Sequence, residues 1–213
     1  MLALVSGFEP FGGEAINPSA EALHRLPPKL GPLAIETRLL PTAFERSVVA
    51  MDQAIAALRP DIILAVGQAG GRNSLSIERA ALNIADAAGP DNDGAQPIDR
   101  PVVPGGPAAY FATLPIKAAV AALRHAGLPA EVSNSAGSFV CNALFYAVMH
   151  RVATRSLRCR AGFLHVPYLP RQAAAMRGVG SMALEHMVQG IQIILAVTAE
   201  RSDDIRASEG AEA

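Results

Sequence analysis

The run Asp61-Ile62-Ile63-Leu64-Ala65-Val66-Gly67 constrains the fold of this 213-residue chain more than any other stretch. It is apolar at odd and even positions alike, so a strand there buries both of its faces. Pro60 precedes it and a glycine-rich loop follows. Such a strand belongs inside a largely parallel sheet with helices on both sides. The rest of the sequence supplies partners in alternation. Strands are expected over 2–8, 34–40, 75–85, 130–135 and 161–168, and helices over 17–26, 43–59, 114–127, 138–154 and 181–199. The pattern predicts a single-domain α/β/α sandwich around a twisted, mostly parallel mixed sheet, spanning residues 1–213. Between 89 and 107 the chain is dense in Pro, Gly, Asp and Asn, and a loop of that length is usually functional or disordered. Residues 201–213 are polar and are expected to fray.

Composition narrows the function classes. With 51% hydrophobic and 17% charged residues, the chain is a well-buried globule, and without Trp its core is mostly aliphatic. The formal net charge is −1, and neither a basic stripe nor a block of like charges occurs, which argues against nucleic acid and anionic membrane as partners. No apolar run reaches the length of a bilayer span. The opening MLALVSGFEPFGG lacks a basic leader and reads as a first strand. Two cysteines in such a chain indicate reduced thiols and a cytoplasmic location.

In open α/β sheets, ligands bind beyond the carboxyl ends of strands. Four expected strand ends carry the residues of interest: SGFEPFGG, GQAGGR, SNSAGSFVC and LHVPY. Cys141 falls in the first turn of the 138–154 helix, after a glycine turn. The unpaired N–H groups and positive dipole there favour a thiolate and an oxyanion. A free Cys is equally a common packing residue. His165, near the end of a buried strand, is either a satisfied core histidine or the base that such a thiol needs. Glu78, in an apolar segment, is either an ion-pair partner of Arg72 or Arg79 or the group that orients His165. His24, His125, His150 and His186 fall on helices and suit surface roles. The loop at 67–74 is glycine-rich without the Lys-Ser/Thr ending of a P-loop. It leaves open a phosphorylase-like alternative in which the loop cradles phosphate. The spacing of Cys and His offers no metal site, and Cys159 reads as a packing residue.

Long ordered motifs then join these segments: SGFEPFGGEAINPS, LPTAF, DIILAVGQAGGR, SIERAALNIADA, PDNDGAQPI, GGPAAYFATLPIK, SNSAGSFVCNALFY and GFLHVPYLP. Over nearly its whole length the chain resembles the pyroglutamyl peptidase I family of cysteine peptidases. The resemblance implies a cytoplasmic, cofactor-free thiol hydrolase with an α/β sandwich fold, assembled as a tetramer or dimer. It would remove an N-terminal pyroglutamyl (5-oxoprolyl) residue from peptides. It implies a catalytic triad of Glu78, Cys141 and His165. It also implies a lactam slot formed by Phe8, Phe11, Thr42, Phe139 and Val140, with Gln68 nearby. A small, neutral, planar lactam suits an apolar slot with few hydrogen bonds. One stretch departs from the family pattern. Where the family commonly reads Asp-Ala-Arg-Ile-Pro-Asp-Asn, this chain reads DAAGPDN, with Ala88 and Gly89 in place of Arg and Ile. The departure implies a roomier, less cationic site. The alternative it raises is a diverged homologue with weak or altered acyl specificity, or one that only binds pyroglutamyl peptides.

Overall fold

The computed structural model describes residues 1–210. Seven strands form the main sheet: β1 (Leu2–Phe8), β2 (Lys29–Leu30), β3 (Leu33–Leu40), β4 (Ile62–Gln68), β5 (Leu75–Glu78), β8 (Ala130–Ser133) and β9 (Arg160–Val166). Their order is β2-β3-β1-β4-β9-β5-β8. The interior of the sheet, β3-β1-β4-β9, is parallel, while β2 and β5 run antiparallel to β3 and β9. β4, the run that anchors the sequence argument, is buried along its full length.

Alternation along the strands sorts the apolar side chains into two cores. Ala3, Val5, Ile62, Leu64, Val66 and Leu164 face one layer of helices. That layer contains α1 (Pro18–Leu23), α3 (Ile116–His125) and α6 (Leu184–Glu200). Leu4, Ile63, Ala65, Ala161 and Phe163 face α2 (Phe44–Leu58) and α4 (Val140–Thr154). The architecture is therefore the expected α/β/α sandwich. Among the described residues, no helix is long and apolar enough to cross a membrane.

Two expectations need correction. The strand expected over 75–85 is two strands in two sheets. After Arg79, β6 (Ala80–Leu82) leaves the main sheet and pairs antiparallel with β7 (Ala109–Phe111). β7 is a three-residue strand just past the Pro/Gly-rich segment, too short to show a period-two pattern.

Second, the four strand ends do not share one sheet edge. β5 and β8 run against β9, with Ser76 opposite His165 and Ile77 opposite Leu164. Parallel direction cannot be read from strand order in the sequence.

The polar tail over 201–210 makes contacts with α3 and with Arg79. α3 starts at Pro115, which has no side-chain acceptor to cap it. The Asp204 carboxylate supplies the cap, accepting from the Lys117 N–H at 3.0 Å and the Ala118 N–H at 2.9 Å. The Arg124 guanidinium binds Glu209 at 2.8 Å, and Arg79 donates to the Glu209 carbonyl at 2.9 Å. Residues 211–213 lie outside the described residues.

Candidate active site

The site is built on the α4 face of the sheet. Phe163 and His165 are two residues apart on β9, so both project toward α4. Their rings lie 4.8 Å apart. His165 pairs in register with Gly67 of β4, the neighbouring strand. A Cβ added to Gly67 would stand 2.8 Å from the Cys141 Sγ and 2.9 Å from the Phe163 ring. The thiol therefore occupies the space that Gly67 leaves empty, against Phe163 and on the face that carries His165. Any other residue at position 67 pushes on the thiol. Gly67→Ala is expected to lower kcat/KM by roughly 10²-fold, the typical effect of an ångström-scale misplacement. It is also expected to cost about 1–3 kcal/mol in urea unfolding through overpacking. Unchanged kinetics would contradict this placement of the thiol.

Cys141 reaches this point because α4 begins there. The chain leaves β8, turns at Gly137 with φ +79°, a left-handed conformation that suits glycine, and enters the helix at Val140. The N-cap, Phe139, makes no side-chain cap bond, so the first-turn N–H groups keep their donor capacity. Asn142 pins this turn. Its side chain is buried, accepts from the Leu82 N–H at 2.9 Å, and donates to the carbonyls of Leu82 and Ile84 at 2.9 and 2.8 Å.

Glu78 lies across the antiparallel β5/β9 ladder, where a long side chain reaches a diagonal neighbour. Its Oε1 is 2.7 Å from the His165 Nδ1 and accepts from the Arg72 guanidinium, also at 2.7 Å. Glu78 is fully buried, His165 nearly so, and Arg72 largely covered. A carboxylate only accepts, so Nδ1 carries the proton and Nε2 keeps its lone pair. Glu78 thus meets both the Arg72 guanidinium and the His165 imidazole. Arg79, the other candidate partner, turns instead to Glu209. Glu78 Oε2 has no partner among the described residues, so Oε1 alone holds both contacts.

Burial sets the resting protonation. It pushes the Cys141 thiol up to about 12, with the Glu78 charge adding to the rise and Arg72 and the Cys141 amide opposing it. It also lowers the imidazole of His165, a shift that Glu78 partly offsets. Both shifts favour the thiol and the neutral imidazole over a thiolate–imidazolium pair.

The residues expected to line a slot fall into two groups. Phe11 and Phe139 are half-buried, with rings 6.0 Å apart, and Phe44 meets Phe139 edge-on at 5.3 Å. Phe8 and Val140 are buried in the α4-side core beneath them. The Thr42 hydroxyl is already committed, donating to the Glu9 carbonyl at 2.7 Å. Gln68, at the end of β4, accepts through Oε1 from the Gln172 amide at 3.0 Å. Gln172 belongs to α5 (Pro170–Ala173), a single turn that the sequence reading passed over.

The 89–107 segment is tied to the same region. Asp91 is buried and accepts from the Phe44, Asp93 and Ala95 N–H groups at 2.8–2.9 Å, which caps α2 from outside. Asn92 binds the Thr42 and Pro10 carbonyls, and Arg46 forks onto Asp93 at 2.6 Å. Closer to Cys141, Ser138 and Asp86 exchange two hydrogen bonds. A Cβ on Gly89 would meet nothing within 4 Å. Of the residues that sequence reasoning missed, Phe44 had a signal in LPTAF, whereas Asn142 and Gln172 had none beyond their polarity.

A thiol at an uncapped helix start, on the sheet face that carries an imidazole bonded to a buried carboxylate, is an arrangement that can carry acyl transfer through sulfur in an α/β protein. Comparison with known proteins makes the class specific. The pyroglutamyl peptidase family model matches residues 1–201. A curated relative, pyrrolidone-carboxylate peptidase 1 of Ralstonia nicotianae, is 51% identical over 208 residues, covering 97% of each chain. Pyrrolidone-carboxylate peptidase of Brevibacillus brevis is 47% identical over 203 residues, covering 95% of this chain and 94% of its own. Among solved structures, pyroglutamyl peptidase I of Bacillus amyloliquefaciens superposes with a TM-score of 0.92 at 40% identity, covering 96% of this chain and 99% of its own. The chain belongs to the pyroglutamyl peptidase family.

Proposed function

We propose that the protein hydrolyses the bond after an N-terminal pyroglutamyl residue of peptides, with Cys141 as nucleophile, His165 as general base and acid, and Glu78 as orienter. The observation that carries this reading is the Glu78–His165 contact of 2.7 Å on the sheet face where the Cys141 thiol sits. The lactam enters between Phe11 and Phe139, over a floor of Phe8 and Val140, with Thr42 and Gln68 holding the backbone and strand end that frame it. His165 Nε2 takes the thiol proton as sulfur attacks the pyroglutamyl carbonyl carbon. First-turn N–H groups of α4 receive the developing oxyanion. The C–N bond breaks as the imidazolium returns the proton to the leaving amine. Water, deprotonated by His165, then cleaves the thioester, releasing pyroglutamate and restoring the thiol.

Arg72 supplies the cation beside Glu78, which fits a chain with Ala88 where the family has Arg. Hydrolysis of a fluorogenic pyroglutamyl amide, set against the prolyl and alanyl amides, tests the substrate class. Turnover of the pyroglutamyl amide alone is expected. Equal turnover of the prolyl amide, which has the ring but lacks the lactam carbonyl, would remove the assignment.

A neutral resting pair gives a pH signature. The thiolate fraction rises with pH toward about 12, so alkylation of Cys141 by iodoacetamide is expected to speed up by about tenfold per pH unit between pH 7 and 10. On the acid side, kcat/KM is expected to fall with a midpoint below the ordinary imidazole value of 6.5, as His165 gains a proton. An alkylation rate already flat from pH 6 upward would show a resting thiolate–imidazolium pair instead.

A further inference from the structure

A cavity of about 490 Å³ opens where α2 and α4 end and β4 and β9 begin. Its walls carry four arginines, Arg59, Arg151, Arg155 and Arg158, with Asp61 as their one carboxylate and the half-buried Cys159 thiol. The Asp61 Oδ2 already accepts from the Leu2 N–H at 2.8 Å. From outside the wall, Asp52 pairs with Arg151 at 2.5 Å. Four arginines therefore line the cavity with one carboxylate, and a second carboxylate pairs with Arg151 from outside it.

Arginines near two helix C-termini complement the helix dipoles, and that accounts for some of this charge. It does not account for Arg151. Its side chain is nine-tenths buried, and its Nε has no acceptor among the described residues. Guanidinium forks match phosphoryl oxygens in pairs. The volume exceeds what one phosphate fills and lies in the range of small-molecule sites, and Ile55 and Leu157 offer apolar wall to an organic body.

The geometry points to a binding site for a small phosphate ester, its phosphoryl group held by the arginines and its body against Ile55 and Leu157. This is not the peptidase site. Arg151 lies ten residues along α4 from Cys141, about 15 Å at the helical rise. The cavity sits at the start of β4 and β9, whereas Gly67 and His165 lie near their ends. A neutral lactam has no use for four cations.

The test is calorimetric titration of the full chain with ribose 5-phosphate and with inorganic phosphate, at ionic strength matched with chloride. The partner protein is the double variant Arg155→Gln/Arg158→Gln. Saturable binding that weakens at least tenfold in the variant is expected, with hydrolysis of a pyroglutamyl amide and the melting temperature in chloride retained. The peptidase readout is separate, so failure of either assignment leaves the other standing. Tighter binding of the ester than of phosphate assigns the organic subsite, and equal binding limits the site to the phosphoryl group. The proposal is overturned if neither anion binds above the chloride background, or if both bind the double variant as well as the native chain.

Discussion

Replacing Cys141 with alanine is expected to reduce turnover of a pyroglutamyl amide to the uncatalysed background while leaving the protein folded. Nucleophile removal in a unit that acts together costs roughly 10⁴-fold or more, because the base and the oxyanion donors then have no bond-forming partner to assist. The fold is spared for local reasons. The change removes a single sulfur atom, alanine is a strong helix former in the first turn of α4, and Asn142 keeps that turn fixed through its three bonds to Leu82 and Ile84. Far-UV circular dichroism and urea unfolding separate the two effects. Retained turnover in a folded variant would exclude Cys141 as the nucleophile.

The second large effect is expected at Glu78. Glu78→Gln keeps the volume but changes what the buried group can do. Both contacts run through one oxygen, so the amide keeps them only by placing its NH₂ at the buried Oε2 position, where no acceptor stands; turned the other way, the NH₂ meets the Arg72 guanidinium and the His165 Nδ1. In either orientation the negative charge that stabilises the imidazolium is gone, and the turned amide also selects the tautomer with the proton on Nε2, which cannot take the thiol proton. A loss of roughly 10⁴ in kcat with little change in KM is expected, as for an orienting carboxylate made into an amide. Glu78→Ala is expected to be worse for the fold. It leaves the Arg72 guanidinium with only the Ser135 carbonyl at 3.4 Å and the His165 Nδ1 without its acceptor, at a cost of about 1–3 kcal/mol. Wild-type kcat in Glu78→Gln would show that His165 is oriented by something else.

Much of this site is legible in the sequence because helix entry and strand burial leave local marks. Cys141 after a glycine turn, and His165 on an apolar strand, are properties of a few adjacent residues. The pairing of Glu78 with His165 is not local. It depends on β5 running against β9, and on Arg72 returning from the loop after β4 to the same oxygen. The sequence shows Gly67 only as the end of a strand, yet its missing Cβ is what admits the thiol. The 89–107 segment shows the same limit. Its Pro and Asn content reads as a loop, whereas the capping of α2 by Asp91 from 47 residues away has no local signature. The polar tail likewise gives no local sign that Asp204 caps α3 or that Glu209 meets Arg79 and Arg124.

The most direct test of the account is to treat the protein with pyroglutamyl chloromethyl ketone under reducing conditions and map the adduct by peptide mass spectrometry. One adduct per chain is expected, on Cys141 and not on Cys159, formed in step with the loss of turnover and slowed by free pyroglutamate. An adduct elsewhere, or turnover that survives complete labelling of Cys141, would contradict it.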